Sequence, residues 1–198
     1  MTQALIVIDV QNDFCPGGAL AVPKGDEIVT GINALMEDTP VVVLTQDWHP
    51  SGHSSFASSH EGQAAYDVID MPYGPQVLWP DHCIQGTRGA DFHSGLNIDR
   101  ADMIARKGYN PQIDSYSALF ENDHKTPTGL EGYLRTRNIT ELTLVGLALD
   151  FCVNFSAVDA AKLGFAVTVR TDLCRAIDLD GSLAAAQDGM LAAGVTLT

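Results

Sequence analysis

The sequence predicts an α/β fold, a three-layer α/β/α sandwich around a mostly parallel six-stranded sheet, on three observations. Short apolar, β-branched runs alternate with helix-patterned stretches along the whole chain. Of the 198 residues 45% are hydrophobic and only 18% charged, which is enough apolar material for a packed core. No internal repeat or low-complexity tract breaks the alternation, so residues 1–198 are expected to form one domain.

The first strand is ALIVIDV, residues 4–10, an unbroken apolar run of the kind buried on both faces of a parallel sheet. DEIVTGINALMED (26–38) has helical spacing, and PVVVLTQD (40–47) is the second strand. Residues 48–100 are rich in Pro, Gly, Ser and His, too long for an idle connection, and segments of that kind carry function. ADMIARK (101–107) is the third strand, GLEGYLRTRN (129–138) a helix and ELTLVGLA (141–148) the fourth strand. The helices DFCVNFSAVDAAKLG (150–164) and DGSLAAAQDGMLAAG (180–194) both end on a glycine suited to a C-cap. Between and after them, AVTVRTD (166–172) and VTLT (195–198) complete six strands.

A net charge of -14 with only 11 Lys and Arg leaves little to neutralise phosphates, so neither nucleic acid nor an anionic membrane is an expected partner. The apolar runs are too short to span a bilayer, and MTQALIVIDV lacks the basic start and cleavage site of a signal peptide. A cytoplasmic protein acting on a small molecule is expected, and the sequence leaves both a monomer and a homo-oligomer open. Cysteines 15, 83, 152 and 174 show no C-x-x-C pairing, so each is either buried filler or a reactive thiol.

The chemistry-bearing residues fall at strand ends. Asp9, Asp47 and Lys107 close the first three strands and Cys152 follows the fourth, on the edge of a parallel sheet where ligands bind. In the common Rossmann-like order 3-2-1-4-5-6, strands 1 and 4 are neighbours, which brings Asp9 beside Cys152. A carboxylate that takes a thiol proton, a lysine that steadies the anion and a helix N-terminus behind the sulfur together describe a nucleophile. A second constellation lies within about 47–100, where TQDWHPSGH and WPDHC supply Asp47, His49, His53 and His82. One carboxylate with two or three imidazoles suits zinc, iron or manganese, and D-x-H spacing turns both side chains to one side of an extended strand. Asp47, His49 and His82 form the firmer set; His53 either ligates as well or bonds to a metal-bound water. His60, His93 and His124 read as solvated, and Cys83, by strand alternation, faces away from its neighbour His82.

ALIVIDVQNDFCPGGALAV, TQDWHPSGHSSFA, VLWPDHCIQGT, RKGYNPQIDSYSAL and LVGLALDFCV together resemble the nicotinamidases, also called pyrazinamidases, of the isochorismatase-like cysteine hydrolase superfamily. The resemblance spans nearly the whole chain. It implies Asp9 as base, Lys107 as the triad lysine and Cys152 as nucleophile, with the amides of Ala148 and Cys152 receiving the oxyanion. It also implies Asp47, His49 and His82 as ligands of one divalent metal, zinc before iron or manganese, that holds the substrate's pyridine nitrogen. Phe14, Trp79 and Tyr116 correspond to an aromatic substrate pocket, and Leu147-Ala148 to a cis peptide. The implied activity is hydrolysis of nicotinamide, or pyrazinamide, to the acid and ammonia through a thioester, within NAD salvage. Phe151 stands where the family varies and bears on pocket shape. Three other readings remain open on the residues: a carbamoyl or ureido amidase with the same triad, a hydrolase whose metal supplies the nucleophile, and a non-catalytic α/β binding module. The last has neither G-x-G-x-x-G nor a P-loop in its favour.

Overall fold

The computed structural model describes residues 2–198. Its centre is a six-stranded parallel sheet built from β1 (Thr2–Ile8), β2 (Val42–Asp47), β5 (Met103–Lys107), β6 (Ile139–Leu147), β7 (Ala166–Arg175) and β8 (Thr196–Leu197), in the order β5-β2-β1-β6-β7-β8. Numbered along the chain, that is the expected 3-2-1-4-5-6. The reversal of direction falls between β1 and β6, where the carboxyl ends open a crevice.

Alternation along β1 builds both cores at once. Ala4, Ile6 and Ile8 pack with α2 (Leu130–Thr136), α3 (Asn154–Lys162) and α4 (Ser182–Ala192), while Leu5 and Val7 pack with Ile28 and with α1 (Val29–Glu37) on the other face. Each fully buried aliphatic side chain contributes about 1.5–3 kcal/mol, so this strand anchors all three layers. The register of β1 on β6 runs to Ile8 opposite Gly146, where a side chain would overlap the Ile8 carbonyl and φ is +119°. Only glycine lets the two strands close up at the end that carries the chemistry.

Several boundaries differ from the sequence reading. The first strand ends at Ile8, because Asp9 turns into left-handed backbone at φ 48°. The helix expected over 150–164 begins as a wide π-type turn, Leu149–Val153, and becomes α-helical only at Asn154. The 48–100 stretch holds an antiparallel hairpin, β3 (Val68–Met71) with β4 (Gly74–Val77). Four-residue strands flanking Pro72 and containing Pro75 give almost no alternation signal.

Candidate active site

The sheet delivers its reactive side chains to one place. The β2–β5 register sets Asp47 opposite Lys107, and the β1–β6 register sets Asp9 beside the turn that carries Cys152. The Lys107 ammonium lies 2.9 Å from Asp9 Oδ2 and 3.5 Å from Cys152 Sγ, and it donates to Asp47 Oδ1 at 2.5 Å and to the Ser115 carbonyl at 2.9 Å. Asp9 is held at its other oxygen: Thr45 Oγ1 donates to Oδ1 at 2.6 Å and accepts the Asp9 amide at 3.1 Å. Oδ2 has no aligned donor and remains the oxygen able to take a proton. The peptide Leu147-Ala148 is cis, in line with the family resemblance.

Burial and neighbouring charge set the resting protonation. Burial pushes Asp9 up to about 6, with Lys107 opposing and Asp47 adding to the rise. Burial also holds the Cys152 thiol well above its ordinary value; Lys107 works against this and Asp9 and Asp47 with it. Near neutral pH the proton therefore rests on sulfur and Asp9 is ionised, so the thiolate forms only as attack begins. For Asp47, burial is outweighed by Lys107 and then by His49 and His82, and the carboxylate lies well below its usual range. Burial disfavours the Lys107 cation, but Asp47 and Asp9 keep it firmly charged.

The donor set meets at the same edge. His49 Nε2 is 3.7 Å and His82 Nε2 4.0 Å from Asp47 Oδ2, and the three ligand atoms lie within 4.8 Å of one another. Each imidazole donates its Nδ1 hydrogen to a carbonyl at 2.8 Å, His49 to Gly108 and His82 to Pro80. These bonds fix the tautomer that leaves both Nε2 lone pairs facing Asp47, the outer arrangement typical of metal-binding histidines. The residues thus fit a divalent cation. Gly108 is required at its position: a Cβ would sit 2.5 Å from the His49 ring, on backbone at φ +65°. His53 packs on His49 and groups with it and Asp114 rather than with Asp47 and His82, and its ring nitrogens lie 2.8 Å from Ser55 Oγ and from the Asn110 carbonyl. Cys83 stands apart from the set for a reason other than strand alternation, since its backbone is left-handed at φ 46°.

Between the two constellations lies a narrow pocket lined by Phe14, Trp79, Tyr116 and Phe151 with Asp47, His82, Asp114, Ala148 and Cys152, and by Leu20 and Ile177. Trp79 meets Phe151 edge-on at 4.9 Å, and Phe151 meets Tyr116 at 5.8 Å. The Tyr116 hydroxyl accepts from Gln76 Nε2 at 2.7 Å and Trp79 Nε1 at 3.0 Å, which locks that wall. Cys152 is only 7% exposed, so the turn aims sulfur into an enclosed chamber rather than toward solvent.

Residues 3–198 match the Isochorismatase domain family. The chain belongs to that family. It is 53% identical over 192 residues to a nicotinamidase of Acinetobacter baylyi, covering 97% of this chain and 90% of the relative. A solved Acinetobacter baumanii nicotinamidase/pyrazinamidase superposes with a TM-score of 0.98 at 52% identity, over 99% of this chain and 95% of that one. A Pyrococcus horikoshii pyrazinamidase, solved in complex with zinc, superposes with a TM-score of 0.80 at 33% identity, over 100% of this chain and 99% of that one.

Within this isochorismatase-family frame, Phe14, Asp47, Trp79, His82, Tyr116, Ala148 and Cys152 line the pocket, Asp9, Lys107 and His49 stand behind Cys152 and Asp47, and His53 packs on His49 in a separate donor group with Asp114. Phe151, expected to bear on pocket shape, stands in the aromatic wall, and two residues join the site that sequence reasoning did not place: Thr45 behind Asp9 and Asp114 beside His49. A hydroxyl inside the apolar run VVVLT was a legible signal for Thr45. Asp114 had none, because its place depends on how the loop after β5 folds back.

Proposed function

We propose that this chain is a nicotinamidase, a cysteine amidohydrolase converting nicotinamide to nicotinate and ammonia. The observation that carries the reading is the pairing of a Cys-Asp-Lys cluster and an Asp-His-His donor set at one aromatic-walled pocket. Asp47, His49 and His82 would hold the ion, which when bound supplies a Lewis-acidic anchor for the pyridine nitrogen.

Phe14, Trp79, Tyr116 and Phe151 sandwich the ring and exclude water. As Cys152 Sγ attacks the carboxamide carbon, Asp9 Oδ2 takes the thiol proton, and the amides of Ala148 and Cys152 receive the oxyanion. Collapse breaks the C–N bond, and Asp9 returns its proton to the leaving nitrogen, which departs as ammonia. A water deprotonated by Asp9 then opens the nicotinoyl thioester, nicotinate leaves, and the proton goes back to sulfur. Lys107 balances the charge of the site throughout.

Such an enzyme would serve NAD salvage in the cytoplasm; among the described residues no helix is long and apolar enough to cross a membrane. Ammonia release from the zinc-loaded protein tests the reading. Nicotinamide should be turned over, and benzamide, which lacks the ring nitrogen, should be slower by about 10²–10⁴-fold. Equal rates would overturn the assignment and favour a ureido-type amidase.

A further inference from the structure

The metal-facing end of the cavity contains a carboxylate that the proposed reaction does not use. Asp114 is buried, it lines the cavity together with Asp47 and His82, and among the described residues no lysine or arginine pairs with it. Its Oδ1 accepts the Ser115 amide at 2.7 Å and lies 4.0 Å from His49 Nε2, while Gln76 Nε2 reaches Oδ2 at 3.3 Å. Gln76 is itself held, accepting from Tyr73 Oη and from Asn122 Nδ2 at 3.1 Å each. The carboxylate is therefore built into the wall rather than resting there by chance.

The carboxyl groups of the buried site outnumber its lysines. Asp9, Asp47 and Asp114 bring three buried carboxyl groups to it, and the single lysine, Lys107, pairs with Asp9 and Asp47 and not with Asp114. A buried carboxylate left without a cationic partner costs several kcal/mol, so a cation held at the neighbouring donor set is the group that would match Asp114. Asp114 does not belong to the first ligand group: its oxygen gathers with His49 and His53, whereas Asp47, His49 and His82 form the compact donor triad.

We infer that Asp114 is an outer-sphere carboxylate of the metal site, placed 4.0 Å from His49 Nε2, where it adds a buried acceptor without a lysine or arginine partner to the surroundings of the ion. This rests on the metal reading given above. The fixed oxygens also give water or a polar ligand atom on the open side of the ion an acceptor inside the cavity.

Direct zinc titration of the chelator-stripped full-length protein, in competition with a chromophoric chelator, tests the inference without using activity. Asp114→Asn keeps the shape and an acceptor for the Ser115 amide, and it should bind zinc about 10–100-fold more weakly than the wild type, the usual effect of losing an outer-shell partner. Asp114→Glu retains the charge and should stay within about fivefold of the wild type. Asp188→Asn, which removes the same charge from an exposed position on α4, should bind as the wild type does. Wild-type zinc affinity in Asp114→Asn, or an equal loss in Asp114→Glu, would overturn the inference. A wild-type protein that fails to bind zinc would instead sink the metal reading on which it stands.

Discussion

Replacing Thr45 by valine removes one hydroxyl from behind the base and almost nothing else. That hydroxyl donates to Asp9 Oδ1 at 2.6 Å and accepts the Asp9 amide at 3.1 Å, both in the buried interior. A hydrogen bond to a charged group is worth about 1.5–3 kcal/mol, and at 1.36 kcal/mol per pH unit its loss from the ionised form equals about one to two units. The direction follows from which form the bond stabilises. Thr45 holds the carboxylate, so without it Asp9 rises further above its value of about 6. The base acts while ionised, so activity disappears as pH falls through that value. The acid limb of kcat/KM for nicotinamide should therefore move about one to two units toward higher pH in Thr45→Val. Thr45→Ser, which restores the hydroxyl, should return the limb to its place. The assay is ammonia release by zinc-loaded protein from about pH 5 to about pH 9, with zinc content measured for each variant. An unmoved limb in fully loaded Thr45→Val would refute the idea that Thr45 tunes and aims Asp9.

Three further outcomes are expected. Cys152→Ala should abolish nicotinamide turnover while shifting the melting temperature by no more than about 5 °C, since it trims only one atom from a cavity wall; Asp9→Asn should lose about 10²–10⁴-fold, and a substantial residual rate in Cys152→Ala would rule out the covalent route. Gly108→Ala should cost about 1–3 kcal/mol in stability and weaken zinc binding together, because the new Cβ meets the His49 ring on left-handed backbone; a variant with normal melting and normal zinc affinity would contradict the account of that turn. Removing metal with a chelator should stop nicotinamide turnover yet leave Cys152 open to a small alkylating reagent, as Lys107 lies 3.5 Å from the sulfur; labelling of Cys15 or Cys174 instead, which among the described residues have no lysine beside them, would show the reactive thiol to have been misassigned.

The sheet was legible because β1, β2 and β6 are buried on both faces, which turns a strand into an unbroken apolar run visible without knowledge of its partners. The strand ends were legible for the same reason: Asp9, Asp47 and Lys107 are polar residues closing such runs. Residues whose place depends on folding at longer range were not. The hairpin over 68–77 is half-exposed, with a polar residue, Gln76, at its one buried position, and carries a proline in its turn and another in its second strand, so its residues show no period. The π-type turn at Leu149–Val153 reads as ordinary helix, since spacing of apolar residues over five positions does not separate the two. Asp114 reaches the cavity only through the loop after β5, which is closed on itself by Asn122 and tied to Gln76 of β4 far back in the chain.

The central position of β1 has a consequence for how the protein is made. Its two neighbours are β2 on one side and β6 on the other, and β6 is synthesised long after both. Asp9 leaves the ribosome roughly 140 residues ahead of Cys152, an interval of about 7–30 s at ordinary elongation rates. During that interval a nascent chain can pair β1 with β2 and β5, which already bear Asp9, Asp47 and Lys107. The side of β1 that awaits β6 stays open, with its apolar faces only partly covered, a state prone to pairing with other chains. A chain terminated before Ile139 should accordingly appear as an aggregate rather than as an enzyme of reduced rate, and conditions that slow synthesis between β5 and β6 should lower the yield of active protein without altering the activity of each molecule that completes folding.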